Sequence, residues 1–168
     1  MGVSNFQPAH LALLAATGVT PVINQVELHP AFQQRDLRAW HAEHGIVTQA
    51  WSPLGQGTIL ADPVVAAVAQ AHEVSPAQAV LRWHLQHGSV VVPKSVTPAR
   101  IAANLDVFGF ELTPAQMAQI DGLDTDGRIG PDPDVFNGCA SPGAWRRVRR
   151  RARGGVRNGV GQMRDLVQ

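Results

Sequence analysis

From residue 2 to residue 120, apolar runs of strand length alternate with amphipathic stretches of helix length. Pro21 to Leu28 reads PVINQVEL and predicts a strand, with Gly18 before it and Pro30 after it. Gln34 to His44 sets Leu37, Trp40 and Ala42 on one stripe and meets Gly45 as a stop, which predicts a helix. Ile46 to Trp51 predicts a second strand, closed by the turn Ser52-Pro53-Leu54-Gly55. Pro63 to His72 predicts a short Ala/Val helix with Asp62 as N-cap and proline in its first turn. Ser75-Pro76 repeats that start for a helix to His87, with Gly88 ending it. Ser89 to Pro93 is nearly all valine and predicts a third strand buried on both faces. Thr97-Pro98 and Thr113-Pro114 predict capped helices, the first through Val107 and the second to about Ile120. Pro8 to Ala16 predicts a helix ahead of the first full strand, and Gly2 to Ser4 the remnant of another strand.

The fold class expected from this order is α/β. Strands alternating with helices are joined by right-handed crossovers and lie parallel. The pattern fits an open doubly wound sheet or a (β/α) barrel. About three full strands and a remnant are too few to close a barrel of eight. No internal repeat is visible along the chain.

Composition changes this picture at the C-terminal end. A chain of 168 residues with 45% hydrophobic content supports one packed domain. Residues 1–137 hold Lys94 and five arginines against twelve acids, a net charge of −6. Residues 138–168 hold eight arginines against Asp165, a net charge of +7. The chain therefore divides into an acidic body, 1–137, and an Arg/Gly-rich tail, 138–168, for which disorder is expected. No run of eighteen apolar residues occurs, and the N-terminus has neither a basic region nor a long apolar core, so no membrane span and no signal peptide are expected. Cys139 is the only cysteine, which excludes an internal disulfide and a cysteine-rich zinc site. A cytoplasmic location is expected on these grounds. The sequence contains no tyrosine, and Lys94 is its only lysine. Mechanisms that need a tyrosine acid or two lysines on this chain are excluded.

Parallel α/β proteins bind ligands beyond the carboxyl ends of their strands. The residues expected there are Ser4 and Asn5, Gln25, the run Trp51 to Gln56, and Lys94-Ser95-Val96-Thr97 followed by Arg100. Amide and hydroxyl groups of Ser4, Asn5 and Gln25 can pair with a carboxamide. Trp51 offers a flat face for stacking. Gly55, lacking a side chain, lets backbone approach a pyrophosphate. Lys94, Ser95, Thr97 and Arg100 form an anion site at a helix N-terminus, where free N–H groups and the dipole favour phosphate. Taken singly, each fits a structural role as well: loop residues at Ser4 and Asn5, an edge position at Gln25, core at Trp51, a helix cap at Ser95 to Thr97. Their common placement after successive strands points to a site. His29, His41, His44, His84 and His87 show no metal-ligand spacing and are expected to be structural or exposed. No GxGxxG or Walker A motif is present.

Gly2-Val3-Ser4-Asn5-Phe6, Asn24 to Pro30 (NQVELHP), Ala50 to Gly55 (AWSPLG) and Val92 to Thr97 (VPKSVT) resemble the aldo-keto reductases, in order and spacing. Arg100 to Asn104 and Phe108 to Thr113 continue the likeness. It covers residues 1 to about 137, and the bacterial diketogluconate-reductase-like branch is the most similar. The resemblance implies a TIM barrel that binds NADPH without a Rossmann domain, of which this sequence supplies a C-terminal half. It implies that Ser4, Asn5 and Gln25 hold the nicotinamide amide and that Trp51 stacks on the ring. Ser52, Leu54 and Gln56 would line the pyrophosphate. Lys94, Ser95, Val96, Thr97, Arg100 and Asn104 would bind the adenosine 2′-phosphate end. Ala103 stands where many relatives carry Glu, which removes one expected adenine contact.

In that family an Asp/Tyr/Lys/His tetrad on the first four strands performs the acid–base chemistry, with Tyr as general acid. No residue of this sequence matches it, so no catalytic residue and no turnover by the chain alone are expected. The lineage implies NADPH-dependent reduction of a small-molecule carbonyl substrate. The alternatives are half of a split enzyme completed by another chain, or a non-catalytic module binding NADPH or nucleic acid. Nucleic acid is disfavoured, because only Trp145 accompanies the basic tail. Unpaired strand edges and an uncovered inward face predict self-association.

Overall fold

The computed structural model of the chain describes residues 1–135. Four strands, β1 (Gly2–Ser4), β2 (Ile23–Glu27), β3 (Val47–Trp51) and β4 (Val90–Val91), form one sheet in chain order. All three pairings are parallel. The connecting helices are α1 (Pro8–Ala15), α2 (Arg35–Glu43), α3 (Pro63–Ala71) and α4 (Pro76–Gln86), with α5 (Pro98–Leu105) and α6 (Pro114–Asp121) after the last strand. A 3₁₀ segment, Gly55–Ala61, lies between β3 and α3. The expected α/β order is met. The expected tail, the boundary at 137 and Cys139 lie outside the described residues. Among the described residues no helix is long and apolar enough to cross a membrane.

Side chains alternate across a strand, and the register sorts them into rows. Val26, Ala50 and Val91 are aligned in one row and turn toward the helices. With Leu11, Leu28, Leu37 and Ile46 they build the core between the sheet and helices α1 and α2. A second core joins Val68, Ala69, Ala79, Trp83, Leu112 and Ile120, contributed mainly by α3, α4 and α6. The other face of the sheet has no such cover. Val47 is 43% exposed, Val90 42% and Val92 48%.

That asymmetry corrects the expectation for Ser89 to Pro93. Only Val90 and Val91 pair as strand, and alternate valines face an open side rather than a second layer of core. The caps divide too. Asp62 accepts from the Val64 N–H, Ser75 from Gln78 and Thr113 from Gln116, as expected. Thr97 makes no side-chain cap; its own backbone N–H donates to the Ser95 hydroxyl at 3.3 Å. Gln34, expected to open α2, adopts a left-handed conformation (φ 44°) and turns its amide onto the Glu27 carbonyl.

Candidate functional site

The expected residues fall into two groups at the carboxyl ends of the strands. The first is built around Trp51, the last residue of β3. Its indole Nε1–H donates to Asn5 Oδ1 at 2.8 Å, and Asn5 Nδ2 donates to Ser4 Oγ at 3.2 Å. Ser4 Oγ donates in turn to the Gln25 carbonyl at 3.1 Å, so Ser4, Asn5, Gln25 and Trp51 form one connected cluster. Parallel pairing carries this out: Ser4 is in register with Gln25, and Gln25 with Gln49. Gln25 Nε2 donates to Gln49 Oε1 at 2.6 Å, which leaves Gln25 Oε1 and one N–H without a partner among the described residues. Asn5 itself is left-handed (φ 59°), held by a backbone bond to the Gln25 carbonyl.

The second group lines an open groove of about 880 Å³. Ser52, Leu54 and Gln56 form one wall, and Lys94, Ser95, Val96, Thr97, Arg100 and Asn104 another. Ser52 (φ 50°) and Gln56 (φ 54°) are also left-handed, a conformation that costs a non-glycine residue about 1–2 kcal/mol. Three of the residues singled out for ligand contact thus hold strained backbone, a pattern that concentrates at functional sites. Lys94 and Arg100 form no ion pair among the described residues. The uncapped start of α5 adds free backbone N–H groups beside them.

Gly55 requires a correction. It is buried and does not line the groove, and its left-handed backbone (φ 54°) is what calls for glycine there. Gly57, which the sequence did not single out, lines the groove, has φ 92°, and has nothing within 4 Å of a built Cβ. Ser75, Pro76 and Ala77 also line the groove; the sequence offered them only as a helix start.

Histidines take structural positions. His41 lies between Asn24 Nδ2 (3.0 Å) and Thr48 Oγ1 (2.8 Å), and burial pushes its pKa down to about 4. His84 is fully buried with Nε2 on the Pro53 carbonyl at 2.9 Å, and burial pushes it down to about 3. His87 is lowered by burial, partly opposed by its hydrogen bond to Asp121. Among the described residues no group of three His, Cys, Asp or Glu side chains could hold a metal.

Residues 1–125 match the sequence pattern of the Aldo/keto reductase family. The chain belongs to that family. It is 54% identical over 138 residues to an aldo-keto reductase of Mycolicibacterium smegmatis, covering 82% of this chain and 50% of the relative. It is 53% identical over 141 residues to the methylglyoxal reductase DkgA of Escherichia coli K12, covering 82% of this chain and 51% of that protein. Among solved structures, a Gox0644 mutant in complex with NADPH superimposes with a TM-score of 0.78 at 53% identity, over 80% of this chain and 51% of Gox0644. MGS-M4, an aldo-keto reductase from a deep-sea metagenome library, gives 0.78 at 34% identity over 81% and 52%. The chain spans about half the length of the curated relatives it matches. Its four parallel strands and their helices correspond to half of a TIM barrel.

Glu27 and Gly130 escaped the sequence reading. Glu27 is a fully buried carboxylate at the end of β2, and Gly130 packs against Trp51 from the far end of the described chain. Glu27 carried a signal, being the one acid in a buried strand run. Gly130 carried none, since its partner is distant in sequence.

Proposed function

We propose that this chain is the cofactor-binding portion of an NADPH-dependent carbonyl reductase that acts in the cytoplasm. The observation that carries the reading is the groove, because its lining suits the phosphates of a phosphorylated dinucleotide. Lys94 and Arg100, without ion pairs among the described residues and beside an uncapped helix start, suit the 2′-phosphate; Arg100 adds a planar fork. Ser95, Val96, Thr97 and Asn104 complete that end, and Ser52, Leu54 and Gln56 border the diphosphate. Ser4, Asn5 and the free Gln25 oxygen suit a carboxamide, and Trp51 supplies the flat face beside it. The cofactor when bound supplies the hydride for carbonyl reduction. The chain's residues orient it; none is a tyrosine able to protonate the product oxygen. The proton donor therefore belongs to polypeptide outside this sequence, and so does part of the carbonyl-substrate pocket.

Fluorescence titration tests this reading. NADPH should bind roughly tenfold or more tightly than NADH, the worth of charge-assisted bonds to one phosphate. Lys94→Met with Arg100→Ala should abolish the difference. Equal affinities in the unsubstituted chain would remove the 2′-phosphate assignment. The chain alone should show no carbonyl-dependent NADPH oxidation, and a co-expressed polypeptide supplying the remaining barrel strands should restore it.

A further inference from the structure

The segment that follows α6 returns across the carboxyl end of the sheet and is pinned as it goes. Asp124 pairs with Arg35 at 3.1 Å. The Thr125 and Gly127 N–H groups both donate to the Ala31 carbonyl, at 3.2 and 2.9 Å. The Arg128 guanidinium lies 4.5 Å from the centre of the Phe32 ring. At the end of this path the Ile129 N–H donates to Glu27 Oε1 at 2.6 Å and the Gly130 N–H to Glu27 Oε2 at 2.8 Å. His29 Nε2 shares Oε1 at 3.2 Å. Three donors thus converge on one carboxylate that has no solvent-exposed surface. Such an arrangement is strong and directional, because each bond is charge-assisted and none competes with water.

Its consequence falls on Trp51. A Cβ on Gly130 would meet the Trp51 benzo edge at 2.5 Å and Glu27 Oε2 at 2.7 Å. Gly130 has no left-handed backbone to explain the glycine; the residue is small because the indole and the carboxylate are both against it. The neighbouring Nε1–H of the same indole is tied to Asn5. The ring is therefore held at two positions along one side.

We propose that Glu27 is a positioning residue: by clasping Ile129 and Gly130 it presses the returning segment against Trp51 and fixes the plane on which a planar ligand ring stacks. The inference rests on the reading of Trp51 as the stacking platform, but the clasp itself can be measured without any ligand. Glu27→Gln replaces one oxygen with an NH₂ group, so a converging N–H then faces a donor. Gly130→Ala leaves the carboxylate intact and displaces the ring or the segment by steric contact alone.

Two measurements on the full chain decide it. The first is the ¹⁵N–¹H resonance of the Trp51 indole, assigned by its loss in Trp51→Phe. Both variants should shift or broaden it. The second compares NADPH with 2′,5′-ADP, which carries the phosphate end and lacks the ring. Both variants should weaken NADPH by about three- to tenfold, the scale of one aromatic stacking contact, and leave 2′,5′-ADP unchanged. A Glu27 that only supported the fold would weaken both ligands alike, and that result overturns the proposal. An unmoved Trp51 resonance in Gly130→Ala also overturns it, and does so even if Glu27→Gln fails to fold. Failure of the unsubstituted chain to bind 2′,5′-ADP counts against the function proposed above, while the indole resonance still decides the clasp.

Discussion

At the scale of single residues, the buried histidines His41 and His84 make a clear demand on pH. Asn24 has its amide fixed by paired bonds to Phe6, so its NH₂ donates to His41 Nε2 and the neutral ring donates from Nδ1 to Thr48. A proton on Nε2 would face that NH₂. With His41 pushed down from 6.5 to about 4 and His84 to about 3, the unfolded chain binds more protons than the folded chain between those values and 6.5. Their contribution is fully present above pH 6.5 and is lost as pH falls toward the folded values, by roughly 3 kcal/mol for His41. Denaturant midpoints should be flat above pH 7 and drop steadily toward pH 4, less steeply in His41→Asn. A midpoint that rises on acidification would show that burial of these rings is not the controlling effect. Histidine in a strand–helix sequence gave no warning of this; the network needs Asn24 and Thr48 from two neighbouring strands.

Secondary-structure elements separate what a cap does from what it resembles. Asp62, Ser75, Thr97 and Thr113 all precede proline, and all look alike in sequence. Three of them bind their helix backbones and the fourth does not. Asp62→Ala should cost about 1 kcal/mol in urea unfolding. Thr97→Ala should cost nearly nothing and should instead affect nucleotide affinity if α5 receives a phosphate. An equal stability loss at both positions would contradict the difference between the two helix starts. β4 tells a related story. A valine run predicts burial on both faces, yet only two residues pair as strand, and Val90 and Val92 stay exposed because only one layer of helices covers the sheet.

Over the whole described molecule, the uncovered sheet face is the dominant physical fact. β1 and β4 each present an unpaired edge, and Val47, Val90 and Val92 stand partly exposed on the face between them. Exposed apolar surface bounded by open edges favours association. Sedimentation velocity should show concentration-dependent self-association of the chain, weakened by Val47→Lys with Val90→Lys. A compact monomer at all concentrations would end that expectation. Polypeptide supplying the remaining strands should compete for the same face.

The sequence alone determined the order of elements, three of the four proline-linked caps, the family, and the absence of a tyrosine acid, because these depend on local periodicity and on motifs that survive in linear order. It also brought the groove residues to the correct end of the sheet, since parallel strands place their carboxyl ends together. Tertiary structure alone decided the rest. Whether a valine is core or surface depends on which layer lies over it. Whether a glycine lines the groove, as Gly57 does and Gly55 does not, depends on how the turn packs. The clasp joins Glu27 to Gly130 across a separation of 103 residues, and no local pattern records a contact closed over so long a stretch of chain.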